Sequence, residues 1–483
     1  MFVGTGSDVG KSIINTGLCR IFLQDGYSPA PFKAQNMSLN SFPTKENLEI
    51  GRAQAVQAEA CGIDCTVEMN PVLLKPISEG SSQVVLHGVP VGNRSASDYF
   101  KSENREELFV EVKKAFDSLS TKHNPIVMEG AGSISEMNLW DKDITNMRIA
   151  EHADAATYLV ADIDRGGVFA SVYGSVMLLP ENWRRLIKGI IINKFRGDIR
   201  LFDSGRKIIE DITGIPVVGV VPYLKDIFIE QEDSVVLERG EAVRSNEEGV
   251  VKVAVVRLPS ISNFTDFNIL SMNEHVSLSY VSNSEEIEQS DILIIPGSKS
   301  TIADMLFLKR TGLDAAIIRH HRADKPLYGI CGGYQIMGEM IFDPEHIEGS
   351  VNEISGLGVI PVSTTINSGK VTRQSTFTIL HNDMRGEGYE IHAGETISDK
   401  PLLVMDNGES DGYYKSDRCW GTYLHGIFDN ANIIESVLAN VPAFTASATQ
   451  LSYREMKEKN YDLLADALRE CMDINYIYKS IEV

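Results

Sequence analysis

Basic charge is scarce in this chain: 45 lysines and arginines stand against 67 aspartates and glutamates, a formal net charge of −22, and no long basic run offsets the excess locally. Such a surface repels phosphate backbones, which argues against nucleic acid as a partner. Long apolar runs are missing as well. None approaches the roughly 20 residues needed to span a bilayer, so no membrane role is expected. Cysteines are few and scattered at Cys19, Cys61, Cys65, Cys331, Cys419 and Cys471. The one Cys-x3-Cys spacing has no second ligand pair nearby, so neither a disulfide framework nor a zinc site follows. The first residues, Met1-Phe2-Val3-Gly4, show neither the basic nor the apolar region of a secretory signal, and a cytoplasmic protein is expected. No internal repeat or low-complexity tract is visible.

What is present is length and alternation. At 483 residues the chain exceeds what one hydrophobic core usually serves, so two domains are expected. Across 1–237, short β-rich apolar runs at 125–128, 156–161, 189–192 and 216–221 alternate with longer mixed segments, the pattern of a parallel sheet with crossover helices. Residues 238–250 are polar and without period, which reads as a linker. A second domain at 251–440 repeats the pattern, with strands expected at 251–257, 291–295, 326–330 and 420–424. The remainder, 441–483, reads as a C-terminal extension, helical from 452 to 478. The fold class expected is α/β, with two doubly wound parallel-sheet domains.

The first candidate site opens the chain. Gly4-Thr5-Gly6-Ser7-Asp8-Val9-Gly10-Lys11-Ser12 joins a short apolar start to a helix-like run. Glycines let backbone amides curl around phosphates, the helix N-terminus adds its dipole, Lys11 supplies a point charge and Ser12 a hydroxyl for magnesium. Gly6, Asp8 and Gly10 belong to the same loop. Lys33, after the apolar stretch 30–32, either neutralises phosphate or is a solvated strand-end lysine. Glu129 ends a strand in a glycine-rich turn, where a carboxylate can hold magnesium against the nucleotide. Asn193 closes another strand, to hydrogen-bond an adenine or to cap a turn.

The second candidate site is a cysteine at a corner. Gly329-Ile330-Cys331-Gly332-Gly333 reads strand, tight turn, helix, the thiol counterpart of the nucleophile elbow. Such a turn lifts the sulfur above the sheet beside a helix N-terminus, which favours the thiolate. Upstream, Pro296-Gly297-Ser298 forms another strand-end turn, so the amides of Gly297 and Gly332 are candidate donors to a tetrahedral oxyanion. His425 follows the last strand directly and is the candidate base, with His392 ranked second.

These motifs carry resemblances. The Gly-x5-Gly-Lys-Ser spacing is one residue longer than the common P-loop and resembles the loop of the dethiobiotin synthetase group of ATP-dependent carboxylate-activating enzymes, a P-loop NTPase-like domain. The cysteine and histidine resemble the class I glutamine amidotransferase domain, in which cysteine attacks the glutamine side-chain amide, forms a glutamyl thioester and releases ammonia. Many such domains carry glutamate two residues after the histidine; here that position is Ile427. That leaves a Cys-His pair, or a triad whose third member the sequence does not identify. The stretches APFKAQNMSLNS at 30–41, EIGRAQ at 49–54, MNPVLLKP at 69–76, DIDRGGVF at 162–169 and ISNFTDF at 261–267 are similar to signatures of the cobyric acid synthase family of cobalamin biosynthesis. One departure is the first strand, with three residues before Gly4 where relatives usually have several more. The resemblance implies ATP and Mg2+ as cofactors, and glutamine and adenosylcobyrinic acid a,c-diamide as substrates. Four successive amidations, of the b, d, e and g side-chain carboxylates, would give adenosylcobyric acid. Two other readings stay open: a cobyrinic acid a,c-diamide synthase, and a Walker-type ATPase switch that would need neither Cys331 nor His425. Oligomeric state is not legible, and a homo-oligomer is compatible with the sequence.

Overall fold

In the computed structural model the described residues are 1–78, 81–95, 99, 101–230, 250–442, 444 and 452–481. The chain divides into two compact units. One comprises Met1–Ser38, Glu49–Ile229 and Met456–Val483, the other Leu39–Leu48 and Glu230–Glu455. Of the expected linker at 238–250, all but residue 250 lies outside the described residues.

The first unit is built on parallel strands in the order Phe2–Gly4, Thr157–Asp162, Ile187–Phe195, Val217–Pro222. On the other side of Phe2–Gly4, Ile126–Met128 pairs in parallel with Ala30–Phe32, and Glu129 at its end bridges to Phe2. All six residues of Thr157–Asp162 are buried. A strand covered on both faces needs apolar side chains at successive positions rather than at alternate ones, hence the continuous runs in the sequence. The first crossover helix, Lys11–Gln24, starts where Gly10 turns left-handed at φ 97°, a conformation that costs glycine no Cβ clash. A small sheet of Gln35–Met37, Val72–Ser78, Ser81–Leu86 and Val89–Ser95, mostly antiparallel, was not expected from the sequence.

The C-terminal helices Tyr453–Cys471 and Ile474–Ser480 do not stand apart: Leu464, Leu468, Met472 and Ile477 join the core of the first unit with Leu18, Phe22 and Val221. Gly17 makes room for them, since a Cβ there would sit 2.3 Å from a methyl of Leu468.

In the second unit the strand order is Val276–Val281, Val251–Val256, Ile292–Ile295, Leu327–Ile330, Cys419–Thr422, Tyr413–Ser416, all parallel except the last. This unit's second strand, Val276–Val281, lies on one side of its first and the third on the other, so the winding direction reverses between Val251–Val256 and Ile292–Ile295. Crevices for ligands open at the carboxyl ends of strands beside such a switch. Beyond the parallel sheet, a long antiparallel hairpin, Ser363–Ile379 with Arg385–Thr396, was also not foreseen. Among the described residues, no helix is long and apolar enough to cross a membrane.

Candidate functional site

At the head of the first unit, the loop of Gly6, Asp8 and Gly10 lies between the strand Phe2–Gly4 and the helix that begins at Lys11. Lys11 Nζ donates to the carbonyls of Gly6 (3.0 Å) and Gly132 (3.2 Å), which fixes the ammonium within the loop's curve. Glu129 is the centre of a buried cluster. Ser12 Oγ donates to its Oε1 at 2.7 Å, Lys33 Nζ lies 3.2 Å from the same oxygen, and Gln57 Nε2 donates to Oε2 at 2.8 Å. Burial works to raise the pKa of this carboxyl, but Lys33, the hydrogen bonds from Ser12 and Gln57, and the charge of Lys11 outweigh it and leave the group below its usual range. Glu129 is therefore ionised at neutral pH. Its oxygens and the Ser12 hydroxyl are hard donors on one spot, a donor set that fits magnesium, which takes one or two protein oxygens and completes its shell with phosphate and water.

The other residues of this site have definite places. Lys33 is buried against Glu129 rather than solvated. Asp8, at positive φ, faces Arg165 (2.9 Å) and Lys194. Asn193 lies under the loop: its Nδ2 donates to Val9 O at 2.8 Å, and a Cβ on Gly10 would come within 2.0 Å of that nitrogen. Gln57, Arg165 and Lys194 escaped the sequence reading. The first is a helix residue with no motif around it, and the other two stand as ordinary surface cations until the sheet brings them to the loop.

The second site gathers the carboxyl ends of four strands of the second unit. Cys331 follows Leu327–Ile330 with φ 51° and ψ −108°, a strained corner that leads straight into the helix Gly332–Met337. The flanking glycines are obligatory. A Cβ on Gly333 would lie 1.9 Å from Ile295 O, one on Gly332 2.7 Å from Ser298 N, and one on Gly329 2.5 Å from Met337 Sδ. The Gly332 backbone is thus pressed against the turn after Ile292–Ile295, the turn that carries Gly297. Ser262 N donates to Gly297 O at 2.9 Å and holds that peptide in place.

His425, 1% exposed, lies close enough to Cys331 for the sulfur to act on its charge, and stands beside Gly297, where a built Cβ would meet its Cε1 at 3.0 Å. Its Nδ1 is 2.7 Å from Oδ2 of Asp266, in the turn Phe264–Phe267 beyond the strand Val251–Val256. Tyr389 Oη and Gly426 N donate to the other carboxylate oxygen, each at 3.2 Å. Burial alone would push the His425 pKa down; Asp266 and the Cys331 sulfur reverse this and hold it well above its usual range, so the imidazolium is favoured. Cys331, His425 and Asp266 therefore bring a thiol, an imidazole and a carboxylate together in a buried place. Ile427, where many such domains have glutamate, is buried and apolar. The carboxylate that lies against His425 is that of Asp266, beyond a distant strand end. An acid between two phenylalanines in Phe264-Thr265-Asp266-Phe267 was the available signal, since such a residue needs a buried partner.

His392 is not brought to the thiol. Its Nδ1 faces Gly394 O at 2.9 Å, its Nε2 faces Glu390 at 3.2 Å, and its ring stacks on Tyr423 at 3.9 Å.

Both halves of the chain match described families. Residues 1–235 match the CobQ/CobB/MinD/ParA nucleotide binding domain, and residues 252–433 the CobB/CobQ-like glutamine amidotransferase domain. A Bacteroides fragilis protein named cobyric acid synthase is 55% identical over 484 residues, which cover 99% of this chain and 97% of that one. Proteins of the same name from Phocaeicola vulgatus (54% identical, 99% and 97% covered) and Alkaliphilus metalliredigens (43% identical, 100% and 99% covered) are similar over the same extent.

Proposed function

Because the chain belongs to the cobyric acid synthase family, we propose that it is a glutamine-hydrolysing carbon–nitrogen ligase that amidates the b, d, e and g side-chain carboxylates of adenosylcobyrinic acid a,c-diamide at the expense of ATP. The observation that carries the reading is the 2.7 Å contact between buried Asp266 and His425 beside the Cys331 corner, an apparatus that a bare ATPase switch has no use for.

Glutamine hydrolysis starts with attack of the Cys331 sulfur on the side-chain amide carbon. The amides of Gly297 and Gly332 stabilise the oxyanion that forms. His425, kept protonated by Asp266, gives its proton to the departing nitrogen, and ammonia leaves a glutamyl thioester. A water deprotonated by His425 then attacks the thioester, releasing glutamate and the thiolate.

In the first unit a carboxylate oxygen of the corrinoid attacks the γ-phosphorus of ATP, and ADP leaves. The loop amides and Lys11 hold the charge that spreads over the phosphoryl oxygens. Ser12 and Glu129 would hold the magnesium ion, which when bound neutralises phosphate charge. Ammonia adds to the acyl carbon and phosphate departs, so one ATP and one glutamine are consumed per amide. Asn193, by supporting Val9 and Gly10 from below, keeps the loop in its phosphate-binding curve.

The test is mass spectrometry of the products from adenosylcobyrinic acid a,c-diamide, glutamine and ATP. Four amidations are expected. No amidation of this substrate, with amides formed at a and c on cobyrinic acid supplied in a parallel reaction, would reassign the chain to the earlier diamide-forming step.

A further inference from the structure

The thiol site is completed from the opposite end of the chain. Segment Leu39–Leu48 clusters with the second unit, although the residues on both sides of it belong to the first. Its contacts converge on the turn that bears Asp266. Ser41 N donates to Asn263 Oδ1 at 2.9 Å, across 222 positions of sequence, and Asn40 Oδ1 accepts from Phe264 N at 3.2 Å. Asn263 sits at φ 50°, a left-handed position that the reciprocal bonds help to stabilise, and its carbonyl accepts from Asp266 N at 3.0 Å. Two residues on, Phe42 meets the ring of Tyr389 edge-on at 5.0 Å. Tyr389 stacks on the His425 imidazole at 5.2 Å and 17°, exchanges both backbone hydrogen bonds with it, and donates its hydroxyl to Asp266. The segment is itself well fixed: Gln374 Nε2 donates to Pro43 O at 2.7 Å, and Thr44, fully buried, closes a turn with Leu48.

We infer that Asn40 and Phe42 are positioning residues for glutamine hydrolysis, Asn40 setting the turn that presents Asp266 and Phe42 setting the Tyr389 ring against which His425 is aligned. Neither touches the reacting atoms; Phe42 acts through Tyr389, which stacks on His425, and Asn40 through the turn that carries Asp266. The inference rests on the reading of Cys331 and His425 as the glutaminase apparatus.

The full-length protein carrying Phe42→Ala, Phe42→Tyr or Asn40→Ala tests it. Glutamine hydrolysis is followed as kcat and KM across pH, and amidation with ammonium salt is followed in parallel. Phe42→Ala is expected to lower kcat for hydrolysis about three- to tenfold, the range that an edge-to-face aromatic pair carries, with KM little changed. Asn40→Ala is expected to lower it by about tenfold through one lost hydrogen bond. Both should shift the pH profile of hydrolysis and leave ammonia-dependent amidation intact. Phe42→Tyr, which keeps the ring, should restore both kcat and profile. Wild-type kcat and pH profile in Phe42→Ala and Asn40→Ala would overturn the inference, as would equal losses of hydrolysis and ammonia-dependent amidation. Cys331→Ser run alongside separates the levels: if it still hydrolyses glutamine, the assignment of the nucleophile itself is wrong.

Discussion

Asp266→Asn changes one charge and almost no volume, which makes it the sharpest probe of the thiol site. The Asn oxygen can go on accepting from Tyr389 Oη and Gly426 N, 3.2 Å away, so the amide group is turned towards His425 Nδ1 at the position now 2.7 Å from carboxylate oxygen. A donor opposite Nδ1 makes that nitrogen the acceptor and puts the ring proton on Nε2, the wrong tautomer for a base facing the sulfur. It also removes the negative charge that favours the imidazolium. A charge-assisted hydrogen bond contributes about 1.5–3 kcal/mol, which sets a floor of about 10- to 100-fold in rate. The tautomer effect in serine hydrolases reaches about 10^4 and sets the ceiling. We expect kcat for glutamine hydrolysis to fall by about 10^2 to 10^4. The pH profile carries a second signature. Burial pulls the His425 pKa down, and of the two groups that raise it Asp266 would be neutral, so the alkaline limb, where the imidazolium loses its proton, should move to lower pH. Glutamate release measured from pH 6 to 10, with ammonia-dependent amidation as the control for folding, decides the matter. Hydrolysis within threefold of wild type and an unmoved alkaline limb would refute the role given to Asp266.

Three further expectations concern the division of labour. Cys331→Ser and His425→Ala should abolish glutamine-dependent amidation but retain turnover with concentrated ammonium salt at mildly alkaline pH, because ammonia reaches the acyl phosphate without the thioester; loss of both activities in folded protein would contradict this. Lys11→Ala should abolish amidation from either nitrogen source while glutaminase chemistry persists at least in part, read as ADP release against glutamate release. Glu129→Gln keeps the shape but removes the negative charge from the oxygens placed to hold magnesium, and we expect a rise of more than about tenfold in the magnesium concentration required for amidation. An unchanged magnesium titration would make Glu129 a structural residue.

The sequence by itself determined the local conformations. A phosphate loop is a run of glycines before a lysine and a helix, and a nucleophile elbow is a cysteine between glycines at a strand end. Both are conformations of fewer than ten consecutive residues, and their steric demands, such as the 1.9 Å approach at Gly333, can be met by glycine alone. Continuous apolar runs likewise announced parallel strands buried on both faces. The tertiary structure decided whatever depends on strand order. Asp266 becomes the partner of His425, 159 residues away, because the ends of the strands Val251–Val256 and Cys419–Thr422 face one crevice, and no periodicity encodes which strand ends will meet. Gln57 reaches Glu129, and Asn193 the underside of the loop, for the same reason. The C-terminal helices entered the first unit's core because their apolar face, carrying Leu464 and Leu468, had the surface of the first helix around Gly17 to cover. Segment Leu39–Leu48 is the extreme case: polar, short and without period, it shows no structural role alone, and its place beside the turn that carries Asp266 follows only from hydrogen bonds that span more than two hundred residues.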